Sequence, residues 1–313
     1  MTATTQSVSK PAAAAHSKAR RLVILLPYLW LVVFFLLPFL IVLKISLSQT
    51  AIAQPPYTPV FDPGGGLAGL GELLAALSLD NYALLLNDQI YVLSYGRSLA
   101  IAALSTAMLL LIGYPIAYGI TRLPRRAQAV LMTLIMVSLC TALLIRTYAW
   151  MIILRPEGSL NWLLLKLHIV ATPPLWLASD TAIYVGIVYC YLPFMVLPLY
   201  AALEKIDQRL IEAAADLGCP RWKIFWQVTL PLSAPGVLAG ALLCFIPAVG
   251  EFIIPDLLGS LQTPMIGQTV WNAFFANADW SVAAAVAVAL FAFLVVPLAI
   301  FLHQTMRATE RAR

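Results

Sequence analysis

The chain has 313 residues, of which 62% are hydrophobic and only 11% charged, with a formal net charge of +5. A soluble domain carries about 25% charged residues, so this composition excludes an ordinary water-soluble fold and places the chain in a membrane. The positive balance follows from basic connections between apolar runs and gives no support to nucleic-acid binding.

Residues 1–21, rich in Ala, Ser, Thr and Lys, are expected to form a disordered tail. Six apolar windows follow, each about 20 residues long, the length that spans a hydrocarbon core. In lipid each must be helical, because no water is present to satisfy its backbone. The first, Leu22 to Ile45, predicts a membrane helix over 22–47. It is too long for a secretory signal and no small-residue cleavage site follows it, so it reads as an uncleaved anchor.

Residues 48–95 predict a long external loop with Asp62, Glu72, Asp80 and Asp88 but no Lys or Arg until Arg97. It opens with Pro55-Pro56, carries Gly64-Gly65-Gly66 and turns helical around Leu73 to Leu86. No Gly-Lys-Ser/Thr follows the glycines, so they form a flexible loop rather than a phosphate cradle. The second and third spans are expected at Ser98 to Ile120 and Ala129 to Met151, joined by a turn with Arg122, Arg125 and Arg126. Beyond them, Ser159 followed by Leu160, Leu163, Leu164 and Leu167 predicts a short amphipathic helix with Ser159 as its N-cap. Trp162 and Trp176 beside it read as interfacial belt residues. The fourth span is expected at Thr181 to Leu203.

The polar segment 204–235 then interrupts the hydrophobic sequence. Asp207 is a suitable N-cap for a helix over Gln208 to Leu217, and Gly218 fits the left-handed position that ends one. Pro220 suits the first turn of a second helix, on which Trp222, Phe225 and Trp226 are expected to share a face and which Pro231 and Pro235 should end. The fifth and sixth spans follow at Gly236 to Leu258 and Trp280 to Leu302, with a tail at 304–313. Basic residues crowd the N-terminal tail, the 122–126 turn, the 204–235 segment and the C-terminal tail. The positive-inside rule therefore puts both termini and this segment in the cytoplasm, and 48–95 in the periplasm. Cys140, Cys190, Cys219 and Cys244, and His16, His168 and His303, lack metal-ligand spacing, so the cysteines read as small core residues.

The segment also carries a pattern: Glu-Ala-Ala at Glu212, Ala213 and Ala214, then Gly218, then Val228, Leu230 and Pro231. With Val228 in place of Ile, it resembles the signature of membrane subunits of binding-protein-dependent ABC importers. That resemblance implies an all-α integral inner-membrane protein, the type-1 permease fold, with a five-helix core over 96–303. It implies that the elbow docks on an ATP-hydrolysing subunit through Glu212, Ala213, Ala214, Gly218, Leu230 and Pro231. The implied assembly holds a second homologous permease, two ATP-binding subunits that carry ATP and Mg, and a periplasmic binding protein. The chain itself would hold no cofactor or metal and catalyse nothing. Further stretches, Leu36 to Ile41, Lys44 to Leu47, Arg146 to Met151, Tyr191 to Pro198 and Phe245 to Pro255, resemble the polyamine branch, putrescine type above all, with a spermidine preference as the alternative.

A polycation's pathway needs carboxylates and aromatic faces. Glu251, bracketed by Pro247, Gly250 and Pro255, is expected well inside the fifth span, where a carboxylate is costly and by default functional. Pairing with Arg146 or Arg97 would make it structural instead. Tyr148, Trp150, Tyr191 and the more peripheral Asp256 complete the candidate path. An ion-coupled secondary transporter is the rival class, but no internal repeat is visible.

Overall fold

The computed structural model describes residues 25–60, 75–260 and 264–311. The expected tail at 1–21, the glycines 64–66, the helix start at Leu73, Asp62, Glu72 and Arg313 lie outside the described residues. The chain forms two compact units, Met1–Tyr82 with Ala278–Ala289, and Ala83–Asn277 with Leu290–Arg313.

The first unit contains helix α1, Leu25–Ser46, with a π-helical stretch at Val32–Leu36. A two-residue antiparallel pair follows, β1 (Gln49–Thr50) with β2 (Tyr57–Thr58). Buried polar groups hold this end together. Asn81 donates to the carbonyls of Ser46 and Ser48, both at 2.8 Å, and Tyr82 OH lies 2.8 Å from Ser46 Oγ. Thr50 Oγ1 donates to Asp279 Oδ1 at 2.7 Å, and Asp279 also accepts from Val282 N at 3.1 Å, which starts the last helix.

Helix α2 is Asp80–Asn87, and α3, Gln89–Thr121, begins inside the expected loop because Asp88 caps it, accepting from Ile90 N at 2.9 Å. In the second unit the expected third span is not one helix. It breaks into α4 (Arg125–Leu139) and α5 (Leu143–Ile153), bent by 90°. At the break Thr141 Oγ1 donates to Ser138 O at 2.7 Å. Cys140 is exposed at the break and not a core residue.

Helix α6 is Ser159–Lys166, capped by Gly158 and not Ser159, which makes no capping bond. A Cβ at Gly158 would sit 2.3 Å from Ile153 O, so no side chain fits there. Trp176 is no simple belt residue, since its Nε1 donates to the buried Asn161 at 2.8 Å. Helix α7, Asp180–Glu204, is capped by Ser179 and followed by α8, Gln208–Asp216.

Helix α9 runs Arg221–Val249 without interruption, passing through a π-helical turn at Phe225–Thr229. Pro231 and Pro235 do not end the elbow helix as expected. The wide π turn makes room where Pro231 lacks an N–H and would crowd the carbonyl four residues back. Short helices α10 (Ile253–Leu258) and α11 (Ile266–Trp271) precede α12, Trp280–Arg311, whose stretch Trp280–Val295 is apolar. Helices α1, α3, α7 and α9 are each long and apolar enough to cross a bilayer, and the α4–α5 pair passes the same test as a bent span.

The core of the second unit lies where α3, α7 and α9 pack. Close approach is built in: a Cβ at Gly236 would meet Ala202 Cβ at 2.4 Å and Pro198 O at 2.8 Å. Tyr114 OH and Ser233 Oγ, 2.8 Å apart, tie α3 to α9.

Candidate functional site

Two places gather the residues singled out above. The first lies where the broken helices meet. Helices α5, α7 and α10 pack pairwise, and of the two interruptions the one at 250–252 turns into protein at the buried Glu251, whereas 140–142 is exposed. Glu251 is not inside a helix, because α9 ends at Val249. The residue is only 7% exposed. Tyr191 OH donates to Glu251 Oε2 at 2.6 Å and Ile253 N donates to Oε1 at 3.0 Å.

No ion pair joins Glu251 to Arg146 or Arg97 among the described residues. Arg97 is held by Asp180 at the start of α7, and Arg146, itself buried, donates from Nη1 to Cys190 O at 3.2 Å. Cys244 Sγ donates to the neighbouring Tyr191 carbonyl at 3.7 Å. The carboxylate is thus bonded to two neutral donors, and no ion pair to it is formed among the described residues.

Of the other candidate path residues, Trp150 meets Tyr189 edge-on at 5.5 Å. Tyr148 is half exposed and Asp256 exposed, and neither bonds to Glu251 among the described residues. Trp271 stacks on Phe252 at 4.7 Å, one residue from Glu251. Arg146 is the residue that sequence reasoning placed only as a pairing partner. Its burial beside the Tyr191–Glu251 pair could not be read from the chain, where these positions are far apart.

The second place is the elbow. Asp207 caps α8, accepting from Arg209 N at 3.0 Å. Gly218 has φ +78°, and the bonds Gly218 N to Ala215 O (2.9 Å) and Cys219 N to Ala214 O (3.1 Å) close a Schellman turn. Pro220 caps α9 from just outside it. One face of α8, with Ile211, Glu212 and Ala215, borders a cleft of about 520 Å³ shared with Tyr118, Arg122, Arg221 and Phe225. The opposite face leaves Leu210, Ala213 and Leu217 exposed, continued by Trp222 and Trp226 on α9. Phe225 does not share that face. It turns inward, edge-on to Tyr114 and Tyr118 at 5.5 and 6.0 Å. Leu230 is half-buried and Pro231 exposed, both on α9 beyond the π turn.

Helices of this length and polarity belong to integral membrane proteins, and interrupted helices meeting over buried polar groups mark those that move solutes. Over residues 109–309 the chain matches the family of binding-protein-dependent transport system inner membrane components, and it belongs to that family. It is a multi-pass protein of the inner membrane. It is 33% identical over 275 residues to the spermidine/putrescine transport system permease protein PotB of Haemophilus influenzae, covering 88% of this chain and 90% of the relative. To PotB of Escherichia coli it is 39% identical over 213 residues, 68% of this chain and 77% of the relative. Its fold is similar to a chain of a bacterial alginate ABC transporter solved with an alginate pentasaccharide-bound periplasmic protein. The TM-score is 0.69 at 15% identity, over 94% of this chain and 96% of that one.

Proposed function

We propose that this chain is the membrane permease subunit of an ATP-driven polyamine importer, putrescine being the favoured substrate. The observation that carries the substrate class is the likeness to the spermidine/putrescine permeases along nearly the full length of both chains. In this reading the chain forms the translocation path with a second permease. A periplasmic polyamine-binding protein delivers the substrate, and two partner ATPase subunits bind ATP and Mg. The cation crosses by alternating access, with both termini in the cytoplasm.

Two features support distinct roles within that reading. The exposed apolar face of the elbow, Leu210, Ala213, Leu217, Trp222 and Trp226, suits docking into a groove on an ATPase subunit, with Glu212 and Gly218 setting the elbow's shape. Glu251, buried and in no ion pair among the described residues, suits transient pairing with a substrate ammonium, Tyr191 holding the carboxylate in place between passages.

Uptake of labelled putrescine and spermidine, measured in cells lacking other polyamine systems, tests the reading. Putrescine uptake that depends on this chain is expected, and spermidine preference would move the substrate to the alternative. Uptake of neither, with the chain inserted and its partners present, overturns the polyamine assignment.

A further inference from the structure

An apolar groove of about 380 Å³ opens along the second unit between α3, α4 and α7. Ile120, Leu131, Ile135, Leu192, Pro193 and Val196 form its walls, with Ser138 and Tyr189 at the far end. Its near end lies beside the turn between α3 and α4, which holds Arg122, Arg125 and Arg126 and no acid. Arg125 and Arg126 are exposed. The acid close to this rim is Glu204, which shares Tyr200 with Arg125 as its charged neighbours, and Lys205 follows it. Tyr200 OH in turn donates to Gln128 Oε1 at 3.1 Å, fixing the end of α7 against the start of α4. The rim is therefore positive in balance.

Lining and rim together decide what fills the groove. Its walls are aliphatic, with polar atoms only where Ser138 and Tyr189 close the far end, a surface suited to a hydrocarbon chain. From Arg126 to Leu131 is about 7.5 Å along α4 at ~1.5 Å per residue, close to the depth at which headgroups give way to acyl chains. A slender apolar slot beginning one headgroup's depth below exposed guanidinium groups matches one kind of molecule.

We propose that the groove and its arginine rim form a site for an anionic phospholipid, one acyl chain lying in the groove and the phosphate resting on Arg125 and Arg126. Arg122 has a smaller share, since it donates to Tyr118 OH at 2.7 Å and borders the elbow cleft opposite Glu212. Clustered basic residues between membrane helices near an interface are suited to such headgroups.

The test is native mass spectrometry of the full-length chain in detergent, titrated with dioleoyl phosphatidylglycerol or dioleoyl phosphatidylcholine. The wild type should retain the anionic lipid at least fivefold better. Arg125→Gln with Arg126→Gln should erase that preference, whereas Lys166→Gln, on α6, should keep it. Ile135→Trp, which fills the groove, should lower retention of both lipids; Leu131→Phe serves if that variant does not insert. Equal retention of the two lipids by the wild type overturns the site, as does an unaltered preference in the double variant. Competition by glycerol phosphate alone would show a headgroup site without the groove. A groove-filled variant that changes oligomeric mass but not lipid retention would assign the groove to a second copy. Either result also overturns the proposal.

Discussion

Glu251 concentrates the chemistry of the second unit in one carboxylate. Its two donors are neutral, so substitutions separate charge from hydrogen bonding. Glu251→Gln keeps an acceptor for Tyr191 and removes the charge. We expect polyamine uptake to fall at least tenfold with normal amounts of protein in the membrane, and unchanged uptake would make Glu251 structural. Tyr191→Phe keeps the charge and strips one donor from a buried carboxylate, at a cost of about 1–3 kcal/mol. A lowered thermal unfolding midpoint checks it; Ile253 N, still in place, should keep the variant folded. At Gly218 nothing lies within 4 Å of where a Cβ would be, so a side chain there meets backbone strain and not a clash. Gly218→Ala should weaken the elbow by about 1–2 kcal/mol, the cost of a left-handed residue. Gly218→Asp adds a charge at the same point and should abolish uptake while leaving membrane insertion normal, as measured by transport and by membrane fractionation.

Helices show where sequence reasoning reached and where it stopped. Spans α1, α3 and α7 were legible from hydropathy, and Asp207 and Gly218 bounded α8 because caps leave a local signature. The 90° break at 140–142 had no such mark, since Cys-Thr-Ala contains neither Gly nor Pro. Pro231 misled in the other direction, because a π turn absorbed it. The Tyr191–Glu251 bond joins residues 60 positions apart, and no periodicity announces such a contact. The α7–α9 packing offers a graded test. Gly236→Ala would drive a Cβ to 2.4 Å from Ala202 Cβ and near the Pro198 carbonyl, neither of which can yield. Gly240→Ala meets first the Met195 sulfur at 2.8 Å, the flexible part of a thioether. The first should cost several kcal/mol and the second about 1–3 kcal/mol, read as an ordered fall in thermal midpoint; reversed order would show that the helices separate more readily at Gly236.

For the chain as a whole, composition alone placed it in a membrane, and one pattern of seven residues placed it in its family. Neither could reveal which polar groups meet inside. The proposed division of labour predicts that the chain reconstituted alone in vesicles accumulates no polyamine, even under an imposed proton or sodium gradient. Accumulation in labelled-putrescine assays under those conditions would make it an ion-coupled carrier.

The unbroken run of α9 has a mechanical result. Arg221 begins it in the elbow and Val249 ends it two residues before Glu251, a rod about 43 Å long at ~1.5 Å per residue. A tilt of about 10° imposed at the foot of a straight rod of that rise would sweep the tip through roughly 7 Å, less whatever bending the π turn at Phe225–Thr229 and the prolines at 235 and 247 take up. That stroke is long enough to pull the backbone under the carboxylate away from the tyrosine that steadies it.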